Sequence, residues 1–336
     1  MTALRIAYLV EDTAQSGGVR VVMAQADALI ARGHRVRIVT KGAPVRWRPS
    51  TAEWVHLKDF AQYDASDDDF VVATFWLTVP VAWQLAGGRA VHLCQGYEGA
   101  FSVYQSIRSQ IDDVYRLPLP KLVVARSLLE ICRRFSSDVT YVGQIVEDEF
   151  FRDVAPPLQN RPRVLLIGQA QADLRGMPDG YAAVAHARSL GAETTLIRVS
   201  PWLPAPDEPT ENAHEFHVAL NTGEMTRLMH GCDVFVGANH SEEGFGLPAA
   251  EAMASGIPCV LTAIPSFLSF DSKHDYALFS PERDPRALGA NLAKVVLDPD
   301  VRLTLGTRGR EVANQFRVTA VADRLEAFFA QRLASR

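Results

Sequence analysis

Short apolar, β-branched runs alternate with helix-period stretches along most of the chain. Residues 5–10, 36–40, 54–57, 70–75, 91–94, 121–125 and 139–142 read as strands. Residues 19–31 read as a helix with Gly33 as its stop signal, and a second helix follows the strand at 121–125 as far as Phe135. Such a rhythm predicts a parallel sheet with helices on both faces. Residues 152–162 break it with three prolines and no periodicity, which predicts a linker. A second series then begins, with strands at 164–168, 194–199, 215–219, 233–236, 258–261 and 277–279. Its helices are expected at 180–190, closed by Gly191, and at 224–230, 252–256 and 286–297. A long amphipathic helix at 318–333 ends the chain. The fold class is therefore α/β, with two Rossmann-like doubly wound domains in series and a cleft between the carboxyl ends of their sheets. The expected divisions are 1–155, 156–316 and a terminal helix at 317–336.

Length agrees with two domains, since 336 residues is long for one core. Composition is that of a soluble globular protein, 48% hydrophobic and 22% charged. A net charge of −5 argues against bulk electrostatic binding of nucleic acid. The N-terminus runs straight into a strand with no leader pattern, and no apolar run approaches the roughly 20 residues of a membrane span. Cys94, Cys132, Cys232 and Cys259 lie scattered in apolar contexts, as buried thiols of a reducing compartment such as the cytoplasm do.

The most informative run is Glu243-Gly244-Phe245-Gly246-Leu247-Pro248-Ala249-Ala250-Glu251. A buried strand precedes it and a helix ending on Gly256 follows. Strand, glycine turn and helix present backbone N–H groups to phosphate. Pro248 fits an early helix position, where a missing N–H costs nothing. The two carboxylates add acceptors for sugar hydroxyls, which suits a nucleotide-sugar better than a bare nucleotide. A second glycine loop, Ser16-Gly17-Gly18-Val19, follows the first strand and opens the first helix. It lacks the spaced glycines of the NAD-binding pattern, and as an ordinary βα turn it would need no ligand.

The run Glu243 to Pro258, followed by Cys259-Val260, resembles the signature of the retaining glycosyltransferases of the GT-B fold, glycosyltransferase family four. Ser16 to Val19, Gly223-Glu224-Met225, the segment from Met229 to Val234 and the last helix resemble the family's corresponding segments more weakly. The resemblance implies a terminal helix crossing back onto the first domain. It implies that Glu251 accepts the ribose hydroxyls in bidentate fashion. It places Glu243 beside the donor sugar and the backbone of Gly244, Phe245, Gly246 and Leu247 against sugar hydroxyls or phosphate. The acceptor would enter over Gly17, Gly18 and the loop at Gln95.

Two departures bear on activity. The family's basic pair after the first strand of the second domain neutralises the diphosphate. Here Arg175 holds the lysine place and Gln169 the arginine place, with one extra residue between. Arg198 could replace the missing charge. Where the family often has His-Gly in the first domain, this chain has Gln95-Gly96. Some branches carry a Gln-x-Tyr-Glu text there, which Gln95 to Glu98 resembles. His92, inside the preceding strand, is expected to be a hydrogen-bonded core residue.

Other features read as structural. Asp67-Asp68-Asp69 precedes a strand and is expected to be a solvated acidic turn, not a metal site. Arg108, Arg116, Lys121, Arg126, Arg133 and Arg134 are interleaved with acids, a pattern of a solvated face, with peripheral membrane contact as the alternative.

The expected activity is transfer of a sugar from a nucleotide-diphosphate sugar to a hydroxyl acceptor, a glycan, lipid or small molecule. The resemblance implies retention, no metal and no cofactor. No general base is implied, since the leaving phosphate takes the acceptor proton. Glu243, Arg175 and Gln95 are the residues expected at the chemistry, with Arg175 and the helix start at Leu247-Pro248 stabilising the leaving phosphate. Gln169, Gly17 and Gly18 join the donor-binding set. Two alternatives stay open, a non-catalytic nucleotide-sugar binder and an epimerase or phosphorylase on the same fold. An epimerase would have only Glu98 and His92 for acid and base, and no lysine stands in a convincing context for pyridoxal phosphate. Oligomeric state is not legible.

Overall fold

The computed structural model describes residues 3–152 and 161–335, so residues 153–160 of the expected linker lie outside the described residues. The chain divides into unit 1, Met1–Ile145 with Phe316–Arg336, and unit 2, Val146–Gln315. The segment before the linker already belongs to unit 2. Phe150 is fully buried there, and its carbonyl accepts from Ser255 Oγ at 3.0 Å.

Unit 1 holds seven strands: β1 (Arg5–Val10), β2 (Arg35–Thr40), β3 (Glu53–His56), β4 (Phe70–Ala73), β5 (Ala90–Cys94), β6 (Lys121–Val123) and β7 (Val139–Tyr141). They run parallel in the order β3-β2-β1-β4-β5-β6-β7. Helices α1 (Gly17–Ala31), α2 (Thr78–Ala86), α3 (Arg108–Tyr115) and α4 (Ser127–Arg133) make the crossovers. The central strands read as unbroken apolar runs because both faces are covered. Ile6, Ala7, Tyr8 and Leu9 are all fully buried.

Unit 2 repeats the plan with β8 (Arg163–Ile167), β9 (Thr195–Ser200), β10 (Glu215–Val218), β11 (Val234–Gly237), β12 (Cys259–Thr262) and β13 (Ala277–Ser280). Their order is β10-β9-β8-β11-β12-β13, again all parallel. Its helices are α5 (Met177–Ser189), α6 (Thr222–His230), α7 (Leu247–Ala254), α8 (Pro265–Leu268), α9 (Pro285–Leu297) and α10 (Pro299–Ala313). Both units are thus Rossmann-like, and strand order reverses beside β1 in one and beside β8 in the other. Ligands bind outside the strand ends at such switch points.

The last helix, α11 (Val318–Ala334), belongs to unit 1. Phe329 packs against Phe70, with ring centroids 4.8 Å apart. Glu326 accepts from Arg32 and lies 3.0 Å from His34 Nε2. Burial alone would push the Glu326 carboxyl up, but Arg32 and His34 outweigh it and hold the group below the usual carboxylate range.

Candidate functional site

Unit 2 brings its predicted residues together at the switch point. The loops after β8 and β11 stand on adjacent strands. The first loop closes in a 3₁₀ turn, Asp173–Arg175, and then Gly176, left-handed at φ 57°, opens α5. A Cβ on Gly176 would lie 1.9 Å from the carbonyl oxygen of Ala238, so only glycine lets the two loops approach this closely. The second loop starts at Ala238 and ends on Gly246, left-handed at φ 86°, which opens α7 with Pro248 in its first turn.

Across these loops the Arg175 guanidinium donates to Oε2 of Glu243. Asn239 Nδ2 donates to the same oxygen at 2.6 Å. The Glu243 side chain is 9% exposed and that of Arg175 30%, so the pair is reachable from solvent on the arginine side. Glu251, one turn into α7, is 2% exposed. The first turn of α7 carries no acidic residue and no side-chain cap; Pro248 lacks an N–H and Ala249 and Ala250 donate to the Gly246 carbonyl at 3.0 and 3.4 Å, so what the helix offers an anion is its positive end. The Phe245 side chain is buried and packs on Phe270, centroids 5.0 Å apart, so this residue can offer only backbone to a ligand. Gly244 and Leu247 are half-buried. Gln169 is half-buried in the same loop as Arg175, and its carbonyl accepts from Ala172 N at 3.3 Å.

Arg198 does not supply the missing charge. It lies within β9, not after it, and is fully buried. Its Nε donates to Glu208 Oε1 at 2.7 Å, and the carboxylate cancels the guanidinium where it stands.

Sequence reasoning passed over His240. It is buried in the second loop, its N–H donates to the Leu174 carbonyl at 2.9 Å, and its Nε2 lies 3.2 Å from Asp179 Oδ2. It therefore ties the loop of Glu243 to the loop that carries Arg175 and to the helix after it. The signal was its place, three residues before Glu243 in a polar stretch between strand and glycine turn.

In unit 1, Ser16 caps α1 by accepting from Val19 N at 3.3 Å. A Cβ on Gly18 would meet the Gln95 amide at 3.6 Å, so the structure brings this loop and Gln95 side by side. Gly17 is open, and a Cβ placed on it would meet nothing within 4 Å. His92 is a core residue as expected, but neither ring nitrogen has a hydrogen-bond partner among the described residues. Burial first, and the Lys121 charge second, push its pKa down to about 3.

Two other expectations change. Lys121 is not on a solvated face: it is fully buried in β6, donating to the Leu119 carbonyl at 3.3 Å. Asp68 is not solvated either, accepting from Tyr63 Oη at 2.6 Å inside unit 1. The four thiols are free and buried as expected, and Cys94 and Cys132, far apart in sequence, lie with Sγ atoms 3.5 Å apart. Among the described residues no group of three or more His, Cys, Asp and Glu side chains is arranged to hold a metal. Among the same residues no helix is long and apolar enough to cross a membrane.

Residues 205–312, inside unit 2, match the family described as glycosyl transferases group 1. The chain is similar to D-inositol 3-phosphate glycosyltransferase of Corynebacterium aurimucosum, 25% identical over 204 residues. That match takes in 58% of this chain and 43% of the relative, less than half its length. Among solved structures, the sucrose-phosphate synthase of Thermosynechococcus elongatus superposes with a TM-score of 0.81 at 19% identity, over 99% of this chain and 100% of that one. HepE of Anabaena, solved in complex with UDP-glucose, gives 0.79 at 13% identity over 99% and 100%. The two Rossmann-like domains are those of GT-B glycosyltransferase structures.

Proposed function

We propose that the protein is a glycosyltransferase that moves a sugar from a nucleotide-diphosphate sugar to a hydroxyl acceptor, with retention and without a metal or cofactor. The observation that carries this reading is the donor constellation of unit 2. An uncapped helix start at Gly246-Leu247, a buried carboxylate one turn in and a guanidinium beside a second carboxylate converge at one switch point. The match to the glycosyl transferases group 1 family over the same unit supports it.

In this reading the diphosphate lies against the positive end of α7 and the glycine turn before it, with Arg175 opposing the charge that grows on the leaving phosphate. Glu251 accepts from the ribose diol. Glu243, anchored by Asn239, turns toward the donor sugar when Arg175 transfers its hydrogen bonds to phosphate. The acceptor is received on unit 1 at Gly17, Gly18 and Gln95, where an amide can hydrogen-bond a hydroxyl but cannot serve as a base. The location is the cytoplasm, where the free thiols persist.

A thermal-shift screen of UDP-, GDP-, ADP- and dTDP-sugars identifies the donor, and Glu251→Ala tests the reading. Losing two hydrogen bonds to a charged group, about 1.5–3 kcal/mol each, lowers kcat/KM by roughly 10²–10⁴-fold. Turnover by the variant within threefold of the wild type would sink the assignment.

A further inference from the structure

Glu98 is buried, at 7% exposure, in a short 3₁₀ turn that follows the Gln95-Gly96 loop of unit 1. Nothing in the donor chemistry uses it. Its Oε1 accepts from the backbone N–H of Trp76 at 3.3 Å, in the loop after β4. Its Oε2 is hydrogen-bonded to the Tyr115 hydroxyl. That hydroxyl oxygen also lies 2.9 Å from the carbonyl oxygen of Gly96.

Counting protons decides the state of this group. The Tyr115 hydroxyl has one hydrogen. A carbonyl and an ionised carboxylate are both acceptors, so with Glu98 ionised one of the two short contacts is oxygen against oxygen with no hydrogen between. With Glu98 protonated both oxygen–oxygen contacts carry a hydrogen, and the Cys94 thiol donates to the Gly96 carbonyl at 3.2 Å in either state. The Glu98 carboxyl O–H donates to the Tyr115 oxygen, Tyr115 donates to the Gly96 carbonyl, and Oε1 still accepts from Trp76.

We infer that Glu98 is held as a neutral carboxylic acid and acts as a positioning residue, fixing the Gln95-Gly96 turn through Tyr115 and the Trp76 loop directly. The second half of this inference rests on the reading of Gln95 as part of the acceptor loop. The groups around the carboxyl agree with it. Tyr115 from α3, the Cys94 thiol from β5, behind it Cys132 from α4, and the Trp76 backbone offer no positive charge to stabilise an anion. Lys121, on the neighbouring strand, spends its ammonium on the Leu119 carbonyl. Burial, the largest influence, pushes the Glu98 carboxyl above the usual range, with the hydrogen bonds from Tyr115 and from the backbone N–H groups of Glu98 itself and Trp76 only partly opposing it.

Glu98→Gln is the deciding variant, because its amide reproduces the protonated acid: N–H₂ toward Tyr115, C=O toward Trp76. Three measurements on the full chain test the inference. In hydrogen exchange read by mass spectrometry, the Trp76 amide keeps wild-type protection in Glu98→Gln and exchanges at least tenfold faster in Glu98→Ala. In urea unfolding from pH 5 to pH 8, Glu98→Gln gains on the wild type as pH rises. The wild type loses stability above the ordinary glutamate pKa because its folded state keeps a proton the unfolded chain has released, up to tenfold in the unfolding constant per pH unit. With UDP-glucose as donor and water as acceptor, Glu98→Gln retains turnover within threefold, whereas Tyr115→Phe, which keeps the ring and loses the O–H, lowers it at least tenfold.

A difference between Glu98→Gln and the wild type that stays constant from pH 5 to pH 8 would show an ionised Glu98 and overturn the inference. So would loss of Trp76 protection in Glu98→Gln, or full turnover in Tyr115→Phe. If the wild type neither binds nor turns over UDP-glucose, a sugar-nucleotide chosen by the thermal-shift screen replaces it. If no sugar-nucleotide is turned over, the functional reading fails alone, and exchange and pH dependence still decide the state of Glu98.

Discussion

Arg175→Ala separates a structural arginine from one that acts on the leaving group. The guanidinium is bound to Glu243, which has Asn239 as a second donor at 2.6 Å. Removing the arginine therefore leaves a carboxylate that is 9% exposed with one neutral hydrogen bond instead of two. A charged hydrogen bond contributes about 1.5–3 kcal/mol when buried, but the Arg175 side chain is 30% exposed. Solvent screening at that exposure reduces its worth to about 1 kcal/mol. The fold should thus survive, with a small drop in the urea midpoint.

The catalytic cost is larger if the proposed role is right. A single donor aimed at developing negative charge is worth about 2.7–4 kcal/mol, or roughly 10²–10³-fold in kcat. Arg175→Lys keeps the charge and loses the fork, so it should fall between, about tenfold below the wild type. The assay is steady-state release of the nucleotide diphosphate at saturating donor, with the urea midpoint measured on the same preparations. A kcat for Arg175→Ala within threefold of the wild type would refute the reasoning. So would a kcat loss that merely follows the fraction unfolded.

Gly176→Ala should destabilise unit 2 by more than about 2 kcal/mol, since a left-handed φ adds roughly 1–2 kcal/mol of strain to a Cβ placed 1.9 Å from the Ala238 oxygen; urea unfolding reads it, and a wild-type midpoint would contradict the loop contact. Activity should be unchanged by EDTA, and a requirement for Mg²⁺ or Mn²⁺ in the nucleotide-release assay would count against the proposed mechanism. His92, whose pKa falls to about 3 in the fold, stays neutral there while the unfolded chain takes up a proton below its ordinary pKa. Its contribution is therefore present above about pH 6.5 and lost as pH falls, so the wild type should lose about 2 kcal/mol more than His92→Leu between pH 7 and pH 5. Equal losses in the two proteins would mean that His92 is charged in the fold.

The strands were legible because both faces of each sheet are covered, which turns every central strand into an apolar run that needs no partner to be recognised. The helices that escaped notice break a local rule and are rescued by packing. Pro80 sits inside α2, within its first turn, where the absent N–H is harmless. In α10, Gly306 and Gly309 lower helix propensity, but they let the helix lie against Gly256 and Met253. A Cβ at Gly306 would stand 2.6 Å from the Gly256 oxygen. The candidate site divides in the same way. Glu243, Gly246 and Glu251 share one local run whose order points to a ligand. Their meeting with Arg175, and the part played by His240, depend on β8 and β11 being neighbours, which spacing along the chain does not reveal. Lys121 and Asp68 look like surface charges in the sequence because burial partners such as Tyr63 and the Leu119 carbonyl are set only by the fold.

Arg198 shows most clearly how this alters the chemistry. As a residue near the second strand of unit 2 it looked able to stand in for the arginine that Gln169 replaces. Inside β9 its side chain is committed to Glu208, which also accepts from Tyr181 Oη at 3.1 Å. Moving that guanidinium toward a diphosphate would leave Glu208 buried without its cation, a change that costs several kcal/mol. On the proposed reading the charge facing the diphosphate would then come from Arg175 and from the start of α7, where the helix dipole amounts to roughly half a positive charge. That is less than a diphosphate leaving group carries. Backbone N–H groups at Gly244 to Leu247 are left to make up the difference by hydrogen bonding, and these are held in place by the left-handed turn at Gly246 and the buried ring of Phe245. On the proposed reading, donor recognition would lean on the geometry of a rigid turn more than on net charge, and Gly246 and Phe245 would matter to it as much as any ionised side chain.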